Sequence, residues 1–509
     1  MLRFKINALG EKMLSFTPHS RKKHLSIIIT TAVMISTSGC MTDMQKTWDE
    51  SGGKIVGGLA GAAIGALACN GDAVCIAAGA LAGVALGALW DQRQQDLIAL
   101  AKKENIKIEI TKVETFNESG QTGLETTINP GEMFSVGSAE LTPQSKRQFE
   151  AIAGIYKNKP QKILVIGHTD ATGSDKSNLK LSEKRAQAVA QLLASQGIPE
   201  ESVFYQGAGE AQPVATNDNE TGRADNRRVE IIEVDSVKSI AAYSLQRKSD
   251  SRFISNSTKT QKEKEQIKQQ VKVAAKKPLA VSKKVEPKVL DVAAAEKDIN
   301  TELQASVNIK AKVDFSGKPA QQDISALIAA TGEQVDNSFS FFSTAHAADV
   351  LPPCFLDSPR IVGAVQNLAN NQQLDPEKVL NLESYKQGDY WPGVNGNVWM
   401  DTVNGNLVAL KGLRILEKSG GIIGQPETLI YTDYSKGNKK LNYKMSAYVE
   451  TYKGTDGLLV RSYFKADSPL QCMDFVLANK SVTQARAGTL YYETSNGLYE
   501  QAIQPHRIK

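Results

Sequence analysis

Histidine and cysteine are scarce in this chain, five of each among 509 residues. Aromatic residues are thin at 6%, and the formal net charge is only +5. So small a charge provides no field for a dedicated nucleic-acid binder. No group of His, Cys and carboxylate side chains has metal-ligand spacing, so neither a metal nor any other cofactor is expected. After residue 348 the single histidine is His506, which argues against a His-based hydrolase there. Five cysteines are few for this length, and their placement matters more than their number. The length itself suggests about three domains.

The richest segment begins at Ile163-Leu164-Val165-Ile166, a short continuous apolar run of the kind found in strands buried on both faces. It runs into Gly167-His168-Thr169-Asp170, so Thr169 and Asp170 fall in a strand-to-helix loop, where a rigid scaffold positions functional groups. Ala186, Val189, Ala190 and Leu193 then recur at i, i+3, i+4 and i+7, the stripe of an amphipathic helix, and Gly197 suits its C-terminal cap. Arg185 flanks that stripe near the start of the helix and can turn back toward Asp170. A carboxylate and a guanidinium so placed can clamp a zwitterion, and the planar fork of Arg suits a carboxylate. Taken alone, an Asp and an Arg on one surface form an ion pair of little worth. The surrounding motifs change that weighting. Thr142-Pro143 reads as N-cap and N1 of an earlier helix with Phe149, Ile152, Ala153 and Tyr156 as its apolar stripe. Gly207-x-Gly209, Pro213 and Asn226-Arg227-Arg228-Val229-Glu230 follow, and Val229 to Val234 reads as a closing strand.

With Leu181-Ser182-x-x-Arg185-Ala186, the stretch from Gly131 to Val234 resembles the OmpA-like peptidoglycan-binding domain and covers about a fifth of the chain. The resemblance implies an α+β domain of βαβαβ type. It implies that Asp170 meets the ammonium group of a diaminopimelate stem-peptide residue and that Arg185 meets its carboxylate, with Thr169 and Asn178 completing the pocket. Asn178 also fits a helix-capping role. The family carries an aromatic residue or His at the position of His168, which implies strand-end packing rather than catalysis or metal binding. Arg227 and Arg228 fit either a structural role or the pocket's electrostatics.

Ahead of this domain, Arg21-Lys22-Lys23-His24 is basic and Leu25 to Ile35 is apolar but too short to span a bilayer. Ser36-Thr37-Ser38-Gly39-Cys40 resembles a lipobox, with Thr37 where the family usually has Leu. This implies a signal peptide over 1–39 and lipidation of Cys40, and Met41 in place of Asp implies sorting to the outer membrane. The other reading is an ordinary signal peptide with a structural cysteine, and Met13 is a second candidate start. Residues 40–104 hold a glycine zipper: Gly57, Gly61, Gly65 and then Gly79, Gly83, Gly87. Two apolar runs, Ile55 to Ala68 and Ala73 to Leu89, flank Asn70-Gly71-Asp72 and read as a membrane-associated helical hairpin, either in outer-membrane lipid or packed within an oligomer. Trp48 and Trp90 would then share one membrane interface. Cys69 and Cys75 flank the turn and form a candidate disulfide. A zipper followed by an OmpA-like domain resembles known outer-membrane lipoproteins.

The OmpA-like domain is bounded at 105–236. Residues 237–347 are rich in Lys, Ala and Val and poor in aromatics, so they are expected to be a disordered linker, a solvated spacer between domains. Residues 348–509 carry most of the tyrosines. Tyr443 to Val449 and Leu458 to Phe464 read as strands, with turns at Gly437-Asn438 and Gly454 to Asp456, so this is a β-rich domain. Cys354 and Cys472 are its two cysteines, and a disulfide between them fits an oxidising periplasm. Tyr390-Trp391-Pro392-Gly393 suits either glycan binding or the core, and the core is the commoner fate.

The expected whole is a multidomain protein that is not an enzyme. It tethers the outer membrane to peptidoglycan through the Asp170 and Arg185 clamp, with its soluble domains in the periplasm. The alternative is an envelope component of a secretion, conjugation or surface assembly whose C-terminal domain binds a partner protein. A motor stator is disfavoured because the anchor lacks an acidic residue in a single spanning helix.

Overall fold

The computed structural model describes residues 88–276, 295, 299, 313–333 and 351–508, with short interruptions, and two strands ahead of them, Ala62–Ala68 (β1) and Cys75–Leu81 (β2). The signal peptide, Cys40, Trp48 and Cys69 lie outside the described residues, and with them the lipidation site and the Cys69–Cys75 pair.

The described parts of the two apolar runs, 62–68 and 75–81, form a hairpin of strands rather than helices; Gly57, Gly61, Gly83 and Gly87 lie outside the described residues. β1 and β2 pair antiparallel from Ala62 opposite Leu81 to Ala68 opposite Cys75. Two factors disfavour the helical form. A glycine every fourth residue costs about 1 kcal/mol each against Ala inside a helix. Isolated helices of about 12–15 residues are already marginal in water even for Ala-rich sequences, so these glycine-bearing runs gain little from a helical form alone. A neighbouring strand is available instead: β2 pairs parallel to the next strand, Ile76 opposite Ile108.

From there the chain builds a layered domain. Its elements are the helix Ala88–Glu104 (α1), strands Ile108–Glu114 (β3) and Gln121–Ile128 (β4), helix Pro143–Tyr156 (α2), strand Lys162–His168 (β5), helix Asp175–Ser195 (α3), strand Val203–Gly209 (β6), the short helix Glu220–Asn226 (α4) and strand Val229–Val234 (β7). The sheet order is β1-β2-β3-β4-β7-β5-β6, with the two-residue strand Gln366–Asn367 beyond β6. β5 and β6 are parallel, joined by α3, while β7 lies antiparallel to both β4 and β5. The result is a mixed α/β sheet in which β4 and β5 run parallel with β7 between them.

Both faces of the sheet are covered. On one face Ile163 and Val165 meet Phe149, Ile152 and Ala153 of α2 and Ala186, Val189, Ala190 and Leu193 of α3. Trp90, Leu97 and Ala101 of α1 join the same core, and Arg93 reaches Glu233 at 2.7 Å. α1 therefore belongs to this domain, and Trp90 is a core residue rather than a membrane-interface one. On the other face Leu164, Ile166, Phe204, Ile232 and Val234 pack under Ile240 and Tyr243 of the helix Val237–Arg247 (α5) and under Val365. Each fully buried aliphatic side chain there stabilises by roughly 1.5–3 kcal/mol.

The expected linker is therefore not uniformly disordered: its first eleven residues are α5, with Ser236 capping the Ser239 N–H. Beneath α5 lies a buried charge network. Arg247 bonds Glu230, Arg228 Nε lies 2.8 Å from Glu230 Oε1, and Arg252 Nη1 lies 2.8 Å from Glu125 Oε1. Sequence composition alone hides this segment because its few large apolar side chains, Ile240 and Tyr243 among them, are interspersed with Ala, Ser and charged residues whose partners are distant in the chain. Farther on, Gln261–Lys276 (α6) is also helical.

The C-terminal region is β-rich, as expected. A five-stranded sheet runs in the order Tyr443–Ser446, Glu427–Tyr431, Asn406–Lys411, Val398–Val403, His506–Ile508. A six-stranded sheet runs Tyr448–Lys453, Gly457–Tyr463, Cys472–Ala478, Ala487–Thr494, Gly497–Ala502, Lys318–Pro319. A three-stranded sheet joins Tyr390–Asn395, Arg414–Leu416 and Ile422–Ile423. Trp399, Val408 and Leu410 of the first sheet share one core with Met473, Phe475 and Leu490 of the second. Trp391 is also in that core and donates its indole N–H to the Ala478 carbonyl at 3.0 Å. Cys354 and Cys472 form a disulfide.

Residues 359–374 tie this region to β6. Gly363 N–H donates to the Gly207 carbonyl at 2.8 Å, Leu368 N–H donates to the Val203 carbonyl at 2.9 Å, and Tyr205 pairs with Gln366. An otherwise open sheet edge is thereby covered.

Candidate functional site

β5 ends at His168, and the loop from Thr169 to Ser174 turns the chain into α3. Ser174 caps α3 in a reciprocal capping box with Ser177, so the helix start is fixed without Asn178. The loop is held against β6 by the Thr169 N–H, which donates to the Gly209 carbonyl at 2.9 Å. From the other side, the Ala171 N–H donates to Asn217 Oδ1 at 3.1 Å.

Within this frame Asp170 is largely buried, its side chain 12% exposed. Its Oδ1 accepts the Thr172 N–H at 2.9 Å, and its Oδ2 accepts Arg227 Nη1 at 2.6 Å. Arg227 is half-buried and uses its other terminal nitrogen on Glu220 Oε1 at 2.6 Å. Burial works against the Arg227 charge, but the bonds to Asp170 and Glu220 outweigh it and hold its pKa above the ordinary value.

Arg185 lies on α3 beside these groups. Its Nε donates to the Ser138 carbonyl at 3.0 Å, and its guanidinium sits 4.9 Å from the centre of the Phe134 ring. Among the described residues no hydrogen bond or ion pair joins Arg185 to Asp170. They share an electrostatic environment instead: burial lowers the Arg185 pKa, with Asp170 opposing and Arg227 reinforcing the shift.

Asn178 links two further parts of the rim. Its amide nitrogen donates to the Asp170 carbonyl at 3.2 Å and to the Glu210 carboxylate. Glu210 follows β6 and is pushed up to about 7, chiefly by burial, with the Asn178 bond opposing and Asp175 and Glu263 adding repulsion. The Thr169 hydroxyl is buried and finds no partner.

Of the neighbouring basic groups, Arg227 faces the site and Arg228 faces the core. Arg228 pairs with Glu230 at 2.7 Å and is almost fully buried. His168 also faces the core, 3.3 Å from Glu230 Oε2, and burial together with Arg228 pushes it down to about 4. Sequence reading missed Glu210 and Glu220. Neither belongs to a periodic pattern, and each is defined by a partner 32 or 7 residues away. Among the described residues no set of three or more metal-ligating side chains gathers, and no helix is long and apolar enough to cross a membrane.

A mixed α/β domain with a paired, partly exposed charge site at the end of its parallel strands is the class defined here. The chain belongs to the OmpA family. The family model matches residues 133–227, and a YMGG-like Gly-zipper model matches residues 21–95. Outer-membrane lipoprotein YfiB of Pseudomonas aeruginosa is 30% identical over 154 residues, 30% of this chain and 89% of that protein. Probable lipoprotein YiaD of Escherichia coli is 40% identical over 99 residues, 19% of this chain. The peptidoglycan-associated lipoprotein of Pseudomonas aeruginosa is 36% identical over 98 residues, also 19% of this chain. The chain spans 45% of YiaD and 58% of the peptidoglycan-associated lipoprotein.

Proposed function

We propose that this protein is a non-covalent tether between the outer membrane and peptidoglycan, with the zwitterionic centre of diaminopimelate held between Asp170 and Arg185. The observation that carries the reading is the pairing of Asp170 with Arg227. A largely buried carboxylate is neutralised by a guanidinium that is 31% exposed and can be exchanged. In the bound state the ligand ammonium takes the place of Arg227 at Asp170, and the ligand carboxylate pairs with Arg185, whose charge otherwise has a carbonyl and an aromatic ring as its partners. Asn178 holds the backbone of Asp170, and the unpartnered Thr169 hydroxyl has a hydrogen bond to offer.

At the other end of the tether, lipid on Cys40 and the zipper segment, in membrane or oligomer, anchor the chain in the outer membrane. The lipoprotein relatives support the outer-membrane location, and in this reading the folded domains lie in the periplasm. The role is binding rather than catalysis. A second role, docking a partner protein of a secretion, conjugation or surface assembly, is favoured by the tie between residues 359–374 and β6. A partner on the C-terminal region would be held at a defined place relative to the wall.

Co-sedimentation of the full-length protein with peptidoglycan sacculi tests the clamp. Asp170→Ala and Arg185→Ala each leave one ligand charge unpaired, which costs about 2–5 kcal/mol in a desolvated site, well over tenfold in affinity. Undiminished sedimentation of both variants, with unchanged circular dichroism, would refute the assignment.

A further inference from the structure

The candidate site is not walled by the OmpA domain alone. α6, which lies beyond that domain in sequence, reaches its rim. Lys264 Nζ lies 3.7 Å from Asp218 Oδ1. Asp218 directly follows Asn217, whose Oδ1 receives the N–H of Ala171, the residue next to Asp170. The neighbouring Glu263 adds to the field on Glu210, the carboxylate bonded to Asn178.

The other end of α6 is seated on the C-terminal sheet. Ala274 is fully buried, and the Tyr499 hydroxyl donates to its carbonyl at 3.4 Å. The backbone approach is close enough that a Cβ on Gly497 would come 2.5 Å from the Gln270 carbonyl oxygen. Ile267, Val271 and Ala274 recur at i, i+4 and i+7 and form the seated face. Sixteen residues of helix reach roughly 24 Å, enough to run from that sheet to the site.

Lys264 is 20% exposed and its partner Asp218 is 38% exposed. An ion pair of that kind is worth little and is readily exchanged for another anion. Beside the position assigned to the diaminopimelate centre, the stem peptide carries a second anion, the free α-carboxylate of the preceding γ-linked D-glutamyl residue. We propose that Lys264 is a specificity-determining residue of this site and receives that carboxylate, so that the pocket reads the stem peptide rather than diaminopimelate alone. The proposal rests on the peptidoglycan reading above. It assigns a ligand contact to a helix positioned by the C-terminal region, and that contact makes the C-terminal region part of wall recognition.

Calorimetric titration of the full-length protein in detergent tests this, with meso-diaminopimelate and L-Ala-γ-D-Glu-meso-diaminopimelate as the two probes. The wild type should bind the tripeptide more tightly than the free amino acid. Lys264→Gln should lose about three- to fivefold on the tripeptide, the size of a partly exposed ion pair, and nothing on the free amino acid. Lys264→Arg should keep the tripeptide preference. Equal losses on both probes would mean that Lys264 acts only by bracing the loop, and an unchanged tripeptide affinity would mean that it does not touch the ligand; either result overturns the proposal. Asp170→Ala should abolish binding of both probes. Full binding by that variant would refute the underlying reading, and this proposal with it, in a way the Lys264 variants cannot mimic.

Discussion

Arg227 holds Asp170: its Nη1 lies 2.6 Å from Asp170 Oδ2, while its other terminal nitrogen is anchored on Glu220. The carboxylate assigned to a ligand ammonium thus already carries an internal stand-in for that cation. Arg185, 15 positions after Asp170 in the chain, is held apart by Ser138 and Phe134. The site is therefore pre-formed as a pair of separated charges, each with a replaceable or incomplete partner.

Arg227→Gln removes the stand-in. Sacculus binding should strengthen by a few-fold, since an exchangeable pair contributes up to about 1 kcal/mol. Co-sedimentation across a range of sacculus concentrations measures this. Weaker binding would show that Arg227 contacts the ligand rather than competing with it.

Glu210 gives the fold a pH dependence of defined sign. Its folded-state pKa, pushed up to about 7, lies above the ordinary carboxylate value of 4.5. The folded protein therefore retains a proton that the unfolded chain releases, and the stability from this group is present below pH 4.5 and lost as pH rises through 7. Glu210→Gln should raise the melting temperature above that of the wild type at pH 8 and by much less at pH 5. Equal shifts at the two pH values would contradict the burial argument.

The Cys354–Cys472 disulfide closes a 118-residue separation. Replacing both cysteines with serine should cost on the order of 2–4 kcal/mol in urea unfolding of the C-terminal region. Peptide mapping without reductant should recover the two cysteines in one linked species. Free thiols at both positions in protein isolated from the envelope would contradict this pairing.

A fragment ending at Ser236 lacks α5 and leaves Leu164, Ile166, Phe204, Ile232 and Val234 without their cover. It also removes Arg252 from Glu125 and Arg247 from Glu230, which keeps only Arg228 of its two arginine partners. Such a fragment should bind a hydrophobic dye and self-associate on gel filtration, whereas the full-length protein should not bind the dye. A monomeric, dye-silent fragment would show that the second face needs no cover.

What the sequence determined by itself was local and periodic. The run Ile163 to Ile166 announced a strand buried on both faces, and Thr142-Pro143 announced a helix start that the structure has, with Thr142 accepting the Ser145 N–H. The stripe from Ala186 to Leu193 announced the face of α3 that reaches the core. Position along the chain also put Asp170 at a strand end and Arg185 on the following helix, though at the middle of Asp175–Ser195 rather than near its start, because the strand and helix periods orient neighbouring side chains without outside help. Tertiary structure alone decided the rest. It selected Arg227 as the partner of Asp170, 57 residues away, and it sent the adjacent Arg228 into the core. It turned the Lys- and Ala-rich stretch after Val237 into a covering helix, since Arg247 and Arg252 find their carboxylates on strands far back in the sequence. It gave the glycine-spaced runs a strand partner in β3, so pairing rather than helix packing satisfies their backbone groups. In each case the deciding energy comes from a group distant in the chain, a relation that no local pattern of residues encodes.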